Sequence, residues 1–290
     1  MGGLRSRCGT LGAAEDVALC RCGVWMSFHY QPATPVHPFN PDRYLLQILH
    51  REAVPTGPTS AAMKALIGLY PLIRQWANIH LASMFPSGSY AKGTAVRSGT
   101  DIDLFISLKH TTLVTLEDIY WSLFDFLKNR GFNPKAQNVS INIRVDGVDI
   151  DLVPGRLQNA LGGYHSLYKR KVRSWQQTHV QRHVAHVRSF NRLPETRLMK
   201  VWRNQWNLDF PSFYLEMVVI EAMKDAPAMN PAKRVVRVLE YLRDKFPTSR
   251  FVDPANTNNV ISDDLTATER MTIRAAADRA LRGSWAEFIR

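Results

Sequence analysis

Two runs of alternating residues constrain this chain more than anything else in it. In Asp101-Ile102-Asp103-Leu104-Phe105-Ile106 the two-residue period of a strand puts both aspartates on one face, with Ile102, Leu104 and Ile106 on the other. Val148-Asp149-Ile150-Asp151-Leu152-Val153 repeats the pattern, with Asp149 and Asp151 outward. If these strands are neighbours, three or four carboxylates share one patch. Like charges that close repel strongly. Hard divalent cations relieve this best, because Mg²⁺ and Mn²⁺ prefer carboxylate oxygens, and two ions about 4 Å apart suit in-line displacement at phosphorus. A lone Asp-x-Asp is more often a solvated strand face.

The segment upstream tips that balance. Leu81 to Phe85 reads as a short strand, followed by the loop Ser87-Gly88-Ser89-Tyr90-Ala91-Lys92-Gly93-Thr94. Backbone N–H groups freed by Gly88 can approach phosphate oxygens closely, and the Ser89 hydroxyl adds a donor. Lys92 and Arg97 either counter phosphate charge or belong to a solvated loop.

The rest of the pattern predicts an α+β protein. Asn40-Pro41 caps a helix reaching about Glu52, and Ser60 opens a second that Pro71 should kink or end. Thr115 opens a helix closed by Gly131, and Asp146-Gly147 between alternating runs predicts a hairpin. From about Leu157 the chain reads as helical, with segments near 178–191, 195–207, 212–225, 231–246 and 264–282. The expected organisation is an extension over 1–37, a sheet-bearing lobe over 38–156 and an all-helical lobe over 157–290, with the active site in the cleft between the lobes.

A net charge of +12 favours polyanionic partners such as nucleotides, RNA or acidic lipid. No apolar run of about 18 residues suggests a membrane span. Cys8, Cys20 and Cys22 all precede residue 25, without a fourth ligand at zinc spacing and without a secretory signal core. Met1 to Val24 reads as an extension, with Met26 as an alternative start. The cysteine-free body fits a reducing cytoplasm.

Taken together, Phe85 to Ser89, then Asp101-Ile102-Asp103, then Asp151 in Asp149-Ile150-Asp151-Leu152-Val153-Pro154 resemble the signature of the DNA polymerase beta-like nucleotidyltransferase superfamily. The resemblance implies that Asp101, Asp103 and Asp151 are catalytic and hold two Mg²⁺ or Mn²⁺ ions, with Gly88 and Ser89 on the triphosphate. It selects Asp151 over Asp149, since the family's third carboxylate precedes an apolar pair and Pro. Arg197-Leu198-Met199-Lys200-Val201-Trp202 and Pro211-Ser212-Phe213-Tyr214-Leu215-Glu216-Met217 resemble helical motifs of the oligoadenylate synthetase, archaeal CCA-adding and bacterial CD-NTase group. By that likeness Lys200 and Ser212 hold the triphosphate and Phe213 stacks on the base. On residues alone, the simpler reading makes Lys200 a surface residue of an amphipathic helix and Phe213 a core aromatic.

Bacterial CD-NTases fit best in size and motif order. They join NTPs, ATP or GTP foremost, into cyclic di- or trinucleotide alarms of anti-phage (CBASS) operons, releasing pyrophosphate. Rival expectations are a template-independent RNA nucleotidyltransferase, transfer of a nucleotide to a protein or small molecule, and a nucleotide- or RNA-binding module without catalysis. His179, His183 and His186 share a helix face that zinc could use, although a partly exposed face is the simpler reading. Lys169-Arg170-Lys171 with Arg173 reads as a solvated linker or a phosphate track.

Overall fold

Polar caps set the helix starts. The Asn40 side chain accepts from the Arg43 N–H at 3.0 Å and opens α1 (Pro41–Arg51), with Pro41 in the first turn, where its missing N–H costs nothing. Ser60 opens α2 (Ala61–Ala77) in the same way. That helix continues past Pro71, contrary to the expected kink or stop. The carbonyl that Pro71 leaves without its donor is that of Ile67, a residue 65% exposed, so solvent can take over the lost bond. The computed structural model describes residues 39–99 and 101–290. The readings of Cys8, Cys20 and Cys22 and of the 1–37 extension lie outside them.

After α2 come β1 (Leu81–Pro86), the short α3 (Gly88–Lys92), β2 (Ile102–Leu108) and the Thr115-capped α4 (Leu116–Asn129). Then follow β3 (Lys135–Ala136), β4 (Ile141–Val145) and β5 (Val148–Leu157). The β4–β5 turn places Asp146 and Gly147 at φ 49° and 80°, the paired positive values of a tight hairpin turn, which is why Asp-Gly marks it in the sequence.

The second half corrects the sequence reading in one place. Residues beyond Leu157 do not turn helical at once: β6 (His165–Lys169) and β7 (Ser174–Thr178) extend the sheet before the helices begin. Their signal is weak because β7 is an edge strand with Ser174 and Trp175 exposed, so the apolar alternation is carried by β6 alone. The basic run at 169–173 is the turn of this hairpin. The helices then follow as α5 (Val180–Ser189), α6 (Leu193–Gln205), α7 (Ser212–Ala222), α8 (Pro231–Asp244), α9 (Ala267–Arg282) and α10 (Trp285–Phe288).

Among the described residues the seven strands form one mixed sheet in the order β1-β2-β5-β4-β3, with β6 on the far end of β5 and β7 beside it. Only β2 and β5 pair in parallel. One core lies between the sheet and helices α2 and α4, built on Ile73, Leu104, Leu123, Ile141, Ile150 and Leu152. A second gathers α6 to α9 around Trp202, Leu215, Val218, Val235 and Leu242. Helix α1 joins this second core through Leu45 and Ile48, although the sequence reading assigned it to the sheet lobe. Tyr44 donates to the Ile289 carbonyl at 2.8 Å and Asp42 accepts the Ala232 N–H at 2.8 Å, tying α1 to the far end of the chain. Periodicity shows that a helix has a buried face but not which core receives it.

Candidate active site

Parallel pairing of β2 with β5 sets Asp103 directly beside Asp151, in register between Ile102↔Ile150 and Leu104↔Leu152. The apolar partners fill the core below, so the two carboxylates share the opposite face. Burial and the charges of Asp151 and Asp101 push Asp103 up to about 6, against the pull of Lys92 and Lys200. Asp101, one residue before the strand and largely exposed, is raised by its partial burial and by Asp149. Asp151 is raised chiefly by burial, with Asp101 and Asp149 adding, while hydrogen bonds from Asn142 and Ser140 pull the other way.

These residues fit divalent cations. Burial raises the proton affinity of all three carboxylates and neighbouring acidic charges add to it, more than Lys92 and Lys200 offset at Asp103, and a cation would relieve that penalty. Among the described residues no group of three His, Cys, Asp or Glu side chains is already drawn together as a ligand set. Gly88 is a second mark of a built site. Its φ of 55° favours glycine, and a Cβ there would fall 1.8 Å from Asp103 Oδ2. The loop backbone therefore passes directly over the carboxylate, and the Ser87 N–H binds the Asp103 carbonyl at 2.8 Å.

Opposite charges dominate across the lobes. Glu216 on α7 is fully buried and accepts from Lys92 Nζ at 2.8 Å, Lys200 Nζ at 2.8 Å and Thr94 Oγ1 at 2.6 Å. Burial alone would raise Glu216; the two ammonium groups and their hydrogen bonds outweigh it and hold the carboxyl at about 2. Lys200 is lowered by its burial, because one carboxylate divided between two lysines compensates each only in part. The cluster thus keeps an unbalanced positive charge that reaches Asp103. The sequence reading left Lys92 undecided and did not single out Glu216. The partners of Glu216 lie 16 and 124 residues away, which leaves no local pattern to read.

No protein-family model matches the chain. The cyclic AMP-AMP-AMP synthase of Escherichia coli (strain MS 115-1) is 27% identical over 224 residues, which cover 62% of this chain and 69% of that one. By this match the chain is similar to bacterial cyclic-oligonucleotide synthases. Solved structures agree in fold. The E. coli MS115-1 CdnC:HORMA-deltaN complex matches with a TM-score of 0.70 and 20% identity over 83% of this chain and 89% of that one. The Bradyrhizobium diazoefficiens CD-NTase CdnG in complex with GTP gives 0.68 and 14% over 84% and 92%.

In this chain the remaining candidates divide. Ser89 is half-buried in the short helix after Gly88, and its carbonyl accepts the Thr94 N–H at 2.9 Å. Ser212 opens α7 and accepts from the Arg203 guanidinium at 2.9 Å. Phe213 is half-buried with both neighbours close: Lys92 Nζ lies 4.6 Å from its ring centre and the His183 ring 4.5 Å away. Arg97 is exposed, and its N–H binds the Glu52 carbonyl at 3.1 Å. Glu52 also accepts the Ser98 N–H at 2.8 Å, so the end of α1 steadies the loop leading to Asp101. Where this loop faces the α6–α7 connection, a cavity of about 450 Å³ opens, lined by Ser98, Gly99, Arg203, Asn204, Asp209 and Phe210.

The three histidines do not converge on a metal site. His183 pairs with Asp253 at 2.7 Å, His179 caps α5 and meets the Tyr164 ring edge-on, and His186 packs on Phe190. Burial lowers His179 and His186, which suits neutral packing partners.

Proposed function

We propose that this chain is a divalent-metal-dependent nucleotidyltransferase that joins NTPs into a cyclic oligonucleotide and releases pyrophosphate. The observation that carries this reading is the juxtaposition of Asp103 and Asp151 beneath the Gly88 backbone, with the Lys92–Glu216–Lys200 cluster next to it. Asp101, Asp103 and Asp151 would hold Mg²⁺ or Mn²⁺, which supplies charge neutralisation at the transferring phosphorus and makes the attacking hydroxyl more acidic.

The chain's own groups do the positioning. Gly88 lets backbone N–H groups reach the triphosphate while the Ser89 hydroxyl adds a donor. Lys200, and Lys92 beside it, lend the partly compensated positive charge to phosphate oxygens, with Ser212 adding a hydroxyl at the start of α7. The Phe213 ring offers an apolar surface to the base. A hydroxyl of a second nucleotide attacks the α-phosphorus of the first: its O–H bond is lost to a base or solvent, an O–P bond forms, and the bond to the β-phosphate oxygen breaks as pyrophosphate leaves. Positioning and charge stabilisation account for the acceleration, since phosphoryl transfer needs little covalent help. A further transfer within the same site closes the ring.

The relative's product, cyclic AMP-AMP-AMP, makes ATP the first substrate to try. Signalling of the CBASS kind in the cytoplasm, where NTPs and Mg²⁺ are abundant, is the matching setting. No helix among the described residues is long and apolar enough to cross a membrane.

Mass spectrometry of products from a mixture of four NTPs with Mg²⁺ or Mn²⁺ tests the reading. A small, phosphatase-resistant cyclic product is expected. Label that enters added tRNA or another polymer instead would replace it with the RNA nucleotidyltransferase reading.

A further inference from the structure

Asp151 is held by neutral side chains of its own sheet. Asn142 sits directly across from it in the β4–β5 ladder and donates from Nδ2 to Asp151 Oδ1 at 2.8 Å. Gln137 donates from Nε2 to the same oxygen at 3.2 Å. Ser140 Oγ lies 2.6 Å from Gln137 Oε1 and 3.4 Å from Asp151 Oδ2. A hydroxyl has one proton to give, and the shorter contact takes it. That choice fixes the Gln137 amide, oxygen toward Ser140 and NH₂ toward Asp151. So Oδ1 receives two N–H donors, at 2.8 and 3.2 Å, while Oδ2 has only the long 3.4 Å contact with Ser140 Oγ and the more open lone pairs.

The turn bearing these residues is itself pinned. Tyr120 Oη, buried on α4, lies 2.9 Å from the carbonyls of both Gln137 and Ser140 and shares its one proton between them, and Arg170 Nε donates to the Gln137 carbonyl at 2.9 Å.

We propose that Asn142, Gln137 and Ser140 are positioning residues for the third carboxylate: they saturate Asp151 Oδ1 and leave Oδ2 as the oxygen that binds the divalent cation. This deepens the function proposed above and rests on its assignment of Asp151 to a metal. Neutral donors suit the task, because they orient the carboxylate without cancelling the charge the cation needs.

The test compares Asn142→Leu, which keeps the volume and removes the donor, and Gln137→Glu, isosteric but with an acceptor in place of the NH₂, with wild type. Mn²⁺ binding to the full chain is followed by electron paramagnetic resonance in the presence of a non-hydrolysable ATP analogue, alongside kcat and KM for NTP. Expected is a roughly 10- to 100-fold weaker Mn²⁺ site and a similar fall in kcat, with KM for NTP within about twofold. Asn142→Ser, which retains a donor of shorter reach, should recover part of the affinity. Unchanged Mn²⁺ affinity in both Asn142→Leu and Gln137→Glu, with wild-type melting, overturns the proposal. If Asn142→Leu melts early, Gln137→Glu and Asn142→Ser decide alone, by the same affinity criterion. Failure of the underlying reading looks different: Mn²⁺ binding would then be indifferent to Asp103→Asn as well, or wild type would bind Mn²⁺ normally yet release no pyrophosphate.

Discussion

The molecule buries charge in two neighbouring places and treats it in opposite ways. On the face of β2 and β5 three carboxylates stand together, and Asp103 is driven up to about 6 by burial and by Asp151 and Asp101. Across the lobes Glu216 is more deeply buried and yet held at about 2, because Lys92 and Lys200 both donate to it. Burial penalises both carboxylates; only the partners differ. The first place, on the function proposed above, takes a cation. The second is complete as a tie between α3, α6 and α7, with positive charge left over for an anion.

That contrast is broken most severely by removing the carboxylates. Asp101→Asn combined with Asp103→Asn should cut pyrophosphate release by about 10³-fold or more, while the metal-free protein melts no earlier than wild type because repulsion has been relieved. Retained activity in this double variant would show that the acidic face is an ordinary strand surface.

At the other place the effect should fall on folding. Glu216→Gln strands two buried ammonium groups, which costs about 3–5 kcal/mol in denaturant unfolding. A loss under about 1 kcal/mol would mean that the lysines find solvent or other partners readily. The same carboxylate should set part of the acid limb. Its folded value lies below that of the unfolded chain, so its stabilisation is whole above the unfolded value and drains away as pH falls toward about 2. Stability of wild type measured from pH 5 down to 2 should therefore drop more steeply than that of Glu216→Gln, and parallel curves would contradict the assignment.

Much of this was legible in the sequence, and the legible part is local. Asp101, Asp103 and Asp151 could be placed on one face because strands alternate with period two, and Asp146-Gly147 announced the turn that brings β4 against β5. Gly88 was singled out for its backbone freedom, but not as the residue whose missing Cβ makes room for the Asp103 carboxylate. Long-range partners were silent. Glu216 in an apolar run resembles a residue turned to solvent, and only tertiary structure brings Lys92 to it across 124 positions. The β6–β7 hairpin was read as the start of the helical lobe because Lys169-Arg170-Lys171 masks two short strands, one at the sheet edge. Pro71 misled for a different reason, since a proline is tolerated where the orphaned carbonyl faces water.

A finer effect separates grip from chemistry within the positive cluster. Lys200→Met should raise KM for NTP roughly 10-fold with kcat within about threefold, if its contact with the triphosphate is equally strong before and during transfer. Unaltered steady-state constants would leave Lys200 as a tie to Glu216 and nothing more.

The central claim concerns where a cation goes. Crystals grown with Mn²⁺ and a non-hydrolysable ATP analogue, measured for anomalous scattering, answer it in one experiment. Manganese peaks about 2.1 Å from oxygens of Asp101, Asp103 and Asp151 are the predicted result. Manganese held by the phosphates alone, with both oxygens of Asp151 away from any ion, would contradict it.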